Sequence, residues 1–435
     1  MKRLLLLCAC LYFAHSGQAQ VLPCLYDLGV DQLERQYPGY RDHSHRTVKE
    51  AVQAYHQRRD PDGSLFTIPV VIHVVWKEAE ENISDARIEA QIRVLNEAFR
   101  RQNADTVNTR SDFQAVVGDA GIEFVLADII RVQTDTLFAP EASLFGGVTL
   151  PDHVKQTANG GSDATDPVNH LNIWVCALQP ISIFGTESPV LGFAYPPAGL
   201  DNWPAETPIP EEEFEGVVVD YRTVGDNEVY SIPAVGDLPM LGRTTVHEVG
   251  HYLGLRHTSG DGALAALGVP DCDVDDGVAD TPNQGLQSQF NCDFSQNTCT
   301  DDVADLPDMV ENYMDYSRED CQNSFTKGQI EIMRAVLTGP RAELPAEVTN
   351  STDAQSVTHG RLYPNPSSGV FYLELAEQQQ SGSWQLFDGF GRLIMQSRYT
   401  APTIRLDLQG HPAGLYFLQV KDAAGRQASW TLVRS

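Results

Sequence analysis

Hydrophobic and polar positions along the chain change period several times, and those changes mark out its elements. Residues 66–76 are rich in Val and Ile, which predicts a strand. Ser84 then precedes a stretch in which Ile88, Ile92, Leu95 and Phe99 recur at helical spacing, so a capped helix packs one face on a core. Further strands are expected at 122–130, 171–178, 191–195 and 217–221, and a helix at about 242–253. A last helix starts near Thr326 and buries Ile330, Met333 and Leu337. Strands and helices followed by a long irregular stretch, rich in Gly and Asp, predict an α+β unit. Residues 340–360 are a linker of Ala, Glu, Ser, Thr and Pro. Beyond them come only short alternating runs at 370–375, 383–387, 392–396, 404–408, 414–420 and 427–433, separated by turns such as Asp388-Gly389. About six short strands of this kind suggest a small β-sandwich.

The first residues follow a different rule. Lys2 and Arg3 precede an apolar run at 4–14, and Gly17 and Ala19 sit at the −3 and −1 places of a cut before Gln20. This is a secretory signal pattern, and 11 apolar residues are too few for an ordinary membrane span. Residues 20–59 are polar and mixed in charge, broken at Tyr37-Pro38-Gly39-Tyr40, and end at Arg58-Arg59. They read as a pro-segment with an exposed, cleavable junction. The expected organisation is a signal peptide at 1–19, pro-segment at 20–59, an α+β domain at 60–342, linker at 343–360 and a C-terminal β-domain at 361–435.

With 435 residues and 42% apolar content, a sizeable core can form. The net charge of −29 argues against a nucleic-acid backbone binder and suits an exported protein or one that holds hard cations. From His257 to Ser317 there is no Lys or Arg, while ten Asp fall between Asp271 and Asp308. Six cysteines follow the signal segment: Cys24, Cys176, Cys272, Cys292, Cys299 and Cys321. The last four crowd together in an exported chain, so disulfides are expected, with three connectivities open. The rival, a Cys₄ zinc site, lacks any C-x₂-C pair.

The chemistry concentrates in Val246-His247-Glu248-Val249-Gly250-His251-Tyr252-Leu253-Gly254-Leu255-Arg256-His257. Residues four apart share a helix face, so His247 and His251 can bind one metal ion. Gly254 allows a sharp turn that returns His257 as a third nitrogen ligand. Three protein ligands and one open position describe a catalytic zinc site, with Glu248 placed as its base. Met314, 57 residues beyond His257, can floor the histidines, and Tyr316 can offer a phenol to a tetrahedral intermediate. The alternative from another class is a surface adhesin that keeps zinc only for structure, for which Glu248 would have no use.

The zinc motif, the turn Asn312-Tyr313-Met314-Asp315-Tyr316 and the Cys- and Asp-rich loop between them resemble the pappalysin family of metzincin metallopeptidases. The resemblance spans residues 68–337 and implies a twisted sheet with two helices above a cleft and an irregular subdomain below. It implies secreted endopeptidase activity and the disulfides Cys272–Cys299 and Cys292–Cys321. It also implies a calcium loop at 271–281, with Asp276, the Val278 carbonyl and Thr281 as candidate donors. Asp320, just before Cys321, matches an acid that family members use to prefer Arg or Lys. Cys24, alone in the pro-segment, is expected to occupy the open zinc position of a latent precursor, a switch used by other metzincins. Asp27 and Asp31 could supply a carboxylate instead, and an incidental thiol or a Cys24–Cys176 bridge is the plainer reading. The tail, through Tyr363-Pro364-Asn365-Pro366, Gly391-Arg392 and Gly414-Leu415-Tyr416-Phe417, is similar to the C-terminal sorting domain of the Bacteroidetes type nine secretion system. The implied partners are protein substrates and the outer-membrane export machinery, without a transmembrane segment.

Overall fold

A computed structural model describes residues 23–57, 64–143, 147–183, 186–197, 215–232, 235–260, 270–300, 305–345, 360–365, 367–375, 381–388, 392–412, 414–422 and 427–434. The expected signal peptide, the Arg58-Arg59 junction and most of the expected linker lie outside these residues. The chain divides into two compact units, with the boundary between residues 348 and 349.

The larger unit is built on a five-stranded sheet in the order β2-β1-β3-β5-β4. Its strands are β1 (Phe66–Trp76), β2 (Ile122–Gln133), β3 (Leu171–Cys176), β4 (Gly192–Ala194) and β5 (Val217–Asp220). β1 pairs in parallel with β2 and β3, and β5 continues the parallel run. Only β4 is antiparallel. Strands in such a sheet are covered on both faces, which explains the continuous apolar run of β1. Pro69 is tolerated there because pairing with β3 begins one residue later, at Val70.

Between β1 and β2 runs α3 (Asp85–Phe99), capped by Ser84 Oγ, which accepts from Arg87 N at 3.3 Å. It buries Ile88, Leu95 and Phe99 on one face of the sheet. The same core takes the fully buried α4 (Arg243–Tyr252) and α5 (Lys327–Leu337). Thr326 and Gln329 form a capping box at the start of α5.

The other face of the sheet receives a helix, and α5 a second one, from a segment whose elements the sequence pattern did not reveal. Residues 20–59 read as polar and mixed in charge, yet the described part of them holds α1 (Tyr26–Gln36) and α2 (Tyr40–Gln57). The apolar stripe of α1 is narrow, with Tyr26, Val30 and Leu33 buried. The buried face of α2 is Tyr40, His43, Ser44, Thr47 and Ala51, a set that carries little hydrophobic signal. Ahead of α1, the chain lies along edge strand β4: Leu191 N donates to Pro23 O at 2.7 Å, and Leu25 N to Gly192 O at 3.1 Å. This N-terminal stretch thus caps an otherwise open sheet edge. A hairpin of β6 (Glu228–Ile232) and β7 (Gly236–Met240), also absent from the expected elements, follows β5.

Among the described residues, the second unit is all β. One sheet has the order β8-β9-β12, from Gly360–Tyr363, Val370–Leu375 and Thr403–Asp407. The other has the order β11-β10-β13-β14, with β10 (Gly382–Asp388), β11 (Leu393–Tyr399), β13 (Gly414–Asp422) and β14 (Gln427–Arg434). Phe371, Leu373 and Leu406 of the first sheet share a core with Leu386, Leu418 and Leu432 of the second. The strand missed in the sequence is Gly360–Tyr363, which sits at the linker boundary. No helix among the described residues is long and apolar enough to cross a membrane.

Candidate metal centre and active site

Helix α4 places His247 and His251 on one face. Gly254 follows with φ of 91°, a left-handed turn open to glycine. Leu255 N donates to Gly250 O at 3.0 Å, closing the helix end, and the chain returns with His257. The three Nε2 atoms converge: His251 lies 3.0 Å from both His247 and His257, and His247 lies 3.2 Å from His257. Each Nδ1 faces an acceptor, namely Tyr313 O at 2.7 Å, Leu255 O at 2.8 Å and Asp27 Oδ2 at 3.1 Å. Protons on the Nδ1 atoms leave three Nε2 lone pairs aimed at one point, an arrangement a cation relieves. Burial pushes His247 down to about 3 and His251 well below its ordinary range, so both are neutral, as metal ligands must be. The residues therefore fit a zinc ion.

Cys24 is the fourth member. Its sulfur and the three histidine nitrogens all lie within 4.8 Å of one another. Burial and the Glu248 carboxylate push its thiol well up, so a cation at the centre is what would hold a thiolate there. Cys176 is a free, buried cysteine in β3 and does not bridge to Cys24. The two carboxylates considered as alternative ligands lie elsewhere. Asp31 is ion-paired with Arg41, and Asp27 bonds the far side of His257 rather than pointing at the centre.

Glu248 follows His247 on the helix, with Oε2 3.5 Å from Cys24 Sγ. Burial pushes its carboxyl up to about 8. The Tyr316 hydroxyl donates to the Cys24 carbonyl at 3.0 Å, so the phenol already holds a backbone carbonyl that runs through the site. Met314 is fully buried against the helix backbone at Gly250. Tyr26 stacks on His251 with centroids 3.9 Å apart.

Beside Glu248 a cavity is lined by Leu238, Met240, Thr244, Phe290, Arg318 and Glu319. Its acids are Glu248, Asp315 and Glu319, and Asp320 is not among the lining residues. Glu319 is buried and caps α4, accepting from Leu241 N and from Thr244 N and Oγ1, both at 2.7 Å. Asp320 turns its carboxylate to Arg318, with Nη2–Oδ2 at 2.6 Å.

The family described as Peptidase M43, pregnancy-associated plasma protein-A, matches residues 202–338, and a secretion system C-terminal sorting domain matches residues 361–433. An extracellular metalloprotease of Arthroderma otae is 28% identical over 266 residues, covering 61% of this chain and 75% of that protein. A promirolysin variant of Tannerella forsythia is 35% identical with a TM-score of 0.56, covering 74% of this chain and 97% of that one. Mature mirolysin of Tannerella forsythia, solved with a cleaved peptide, is 38% identical with a TM-score of 0.50. That likeness covers 65% of this chain and 96% of the other.

The chain belongs to the pappalysin family of metallopeptidases.

This pappalysin is a metalloendopeptidase, and its sorting domain marks it as a secreted or cell-surface protein. The family implies a catalytic zinc, and the histidine triad is its candidate site. Between α4 and α5, the irregular region carries the disulfides Cys272–Cys299 and Cys292–Cys321, with Cα atoms 5.7 and 6.1 Å apart. In the loop that follows Cys272, three oxygen-bearing groups meet. Thr281 Oγ1 lies 2.9 Å from both Asp276 carboxylate oxygens and 2.8 Å from Val278 O. Asp276 is buried, and burial pushes its carboxyl up to about 7. A buried acid among oxygen donors suits the chemistry of Ca²⁺.

The contacts of Tyr26 and Asp27 with the histidines, and the capping by Glu319, escaped the sequence pattern. All three join residues far apart in the chain, and no local spacing signals them.

Proposed function

We propose that this pappalysin is made as a latent precursor whose pro-segment, residues 20–59, blocks the catalytic domain at 60–342 through Cys24. His247, His251 and His257 hold zinc, and Cys24 Sγ fills the fourth position. The observation that carries the reading is the convergence of these four ligand atoms while the same segment covers edge strand β4. Zinc bound there supplies Lewis acidity for the scissile carbonyl and for a water. Once the pro-segment leaves, Glu248 takes the proton of the attacking water and passes it to the leaving amine. The Tyr316 hydroxyl then donates to the oxyanion in place of the Cys24 carbonyl.

Cleavage next to Arg or Lys is the proposed specificity. Arg318 lines the cavity and brings a guanidinium onto Asp320, and a substrate guanidinium can replace it. Ca²⁺ bound by Asp276, Val278 O and Thr281 steadies the loop at 271–281. The signal peptide at 1–19 directs export, and residues 361–435 engage the secretion machinery beyond a linker at 343–360.

The test is hydrolysis of an Arg-containing peptide by zinc-loaded protein before and after removal of the pro-segment, with and without a chelator. Activity should emerge on removal and vanish on chelation. A zinc-loaded, pro-segment-free chain with no peptidase activity would sink the reading. Cut sites mapped across a proteome digest give the specificity in the same preparation.

A further inference from the structure

The three histidines are not held alike. His247 and His251 direct Nδ1 to Tyr313 O and Leu255 O, carbonyls of the catalytic domain that remain after maturation. Among the described residues, the acceptor at His257 Nδ1 is Asp27 Oδ2, at 3.1 Å, and Asp27 belongs to the pro-segment. The other Asp27 oxygen is buried without a hydrogen-bond partner among the described residues, so His257 is the group this carboxylate serves. Cys24, Tyr26 and Asp27 act within one short stretch: a sulfur at the centre, a ring against His251 and a carboxylate behind His257. A carboxylate on the far nitrogen fixes the ring and raises its basicity as a ligand.

We propose that Asp27 is a zinc-retaining positioning residue of the precursor, so that maturation lowers zinc affinity as well as opening the fourth coordination position. Removal of the pro-segment takes away the thiol and the carboxylate together, while His247 and His251 keep their carbonyls. The precursor then carries its metal through export more securely than the mature enzyme keeps it. The proposal rests on zinc being held by the three histidines, as in the reading above. The plainer role for Asp27 is to place negative charge in the first turn of α1, which steadies that helix and does nothing for the metal.

The experiment uses the full-length precursor with Glu248→Gln, which cannot cut itself, loaded with zinc and challenged with a coloured chelator. The rate of zinc release is read by absorbance, and thermal unfolding of the zinc-free proteins is measured alongside. Asp27→Ala should release zinc roughly 10- to 100-fold faster than its parent. Asp27→Asn, which keeps an acceptor oxygen and the side chain's shape but loses the charge, should fall between them and carries the test if Asp27→Ala does not fold. The protein freed of its pro-segment should release zinc faster still. Release from the Asp27 variants within about two-fold of the parent overturns the proposal, whatever their melting temperatures. Cys24→Ala separates the two readings. Fast release from the Asp27 variants with unchanged release from Cys24→Ala removes the thiol ligand and leaves Asp27. The reverse removes Asp27 and leaves the thiol.

Discussion

The Met314 sulfur lies where a side chain on Gly250 would begin: a Cβ placed on Gly250 meets Met314 Sδ at 2.5 Å. Gly250 sits between His247 and His251, so the turn carrying Met314 presses on bare helix backbone between the two helix histidines. Gly250→Ala should therefore destabilise the protein by about 1–3 kcal/mol through overpacking, despite the better helix propensity of alanine. Chemical denaturation of the zinc-loaded protein measures it. Adding Met314→Ala should cost less than the sum of the two single changes, because each relieves the other. Strict additivity would show that the two residues do not press on one another.

Glu248→Ala should keep the fold and the zinc but lose turnover by about 10²–10⁴-fold or more. Glu248 Oε1 is buried with no hydrogen-bond partner among the described residues. Removing that carboxylate should therefore leave the precursor at least as stable as before. Metal analysis, melting temperature and peptide turnover on one preparation decide the matter. A variant that cleaves at a near wild-type rate removes Glu248 as the base.

Arg318 and Asp320 make opposite predictions for specificity. Asp320→Ala should weaken the preference for Arg substrates more than it weakens general activity. Arg318→Ala frees the Asp320 carboxylate and should lower KM for Arg peptides. The pair is half-exposed, so each effect should be modest, about 1 kcal/mol or less. Cleavage-site profiles of both variants give the answer, and a profile dominated by apolar residues would exclude Asp320 as the specificity group.

The convergence of the three histidines was legible because it is local. His247, Glu248 and His251 are fixed by helix geometry, and His257 by a glycine turn three residues beyond the helix's second ligand. The capped helix 85–99 and most strands were legible for the same reason. What escaped depends on distant partners. Asp27 and His257 are 230 residues apart. The burial of α1 and α2 depends on the sheet face and α5, to which their own patterns give little clue. Asp320 matched a family position in sequence, but its neighbour Glu319 lines the cavity and Asp320 does not, because the N-cap of α4, Gly242, has no side chain and Glu319 satisfies the free N–H groups there.

Calcium should raise the melting temperature of the zinc-loaded protein, because a ligand that binds only the folded state stabilises it by mass action. At a hundredfold excess over Kd the gain is about 2.7 kcal/mol. Asp276→Ala should abolish the calcium-dependent rise without releasing zinc, since Asp276 contributes its carboxylate to the loop and has no contact with the histidines. An unchanged melting temperature when Ca²⁺ is added to calcium-free, zinc-loaded protein would remove the loop as a calcium site.

Acid stability of the larger unit should depend on His73. This residue of β1 is buried between Ser162 Oγ and Asn172 Oδ1, each 2.8 Å from a ring nitrogen, and it stacks on Trp174 with centroids 4.9 Å apart. Burial lowers its pKa from the ordinary 6.5, although the Asn172 bond partly opposes that shift. Below pH 6.5 the unfolded chain therefore takes up a proton at His73 before the native protein does, and the unfolded state binds more protons. Stability then rises with pH across this window. The contribution is present in full above about 6.5 and is lost as pH falls through the folded value. His73→Gln keeps a polar side chain that can bond Ser162 or Asn172 but cannot titrate. It should cost stability at pH 7.5 through lost packing on Trp174, yet show a shallower decline between pH 6.5 and 5 than the parent. Denaturant titrations of the catalytic unit at a series of pH values give both slopes. Identical slopes would show that His73 titrates in the folded protein as it does in the unfolded chain, and that its burial carries no acid-linked cost.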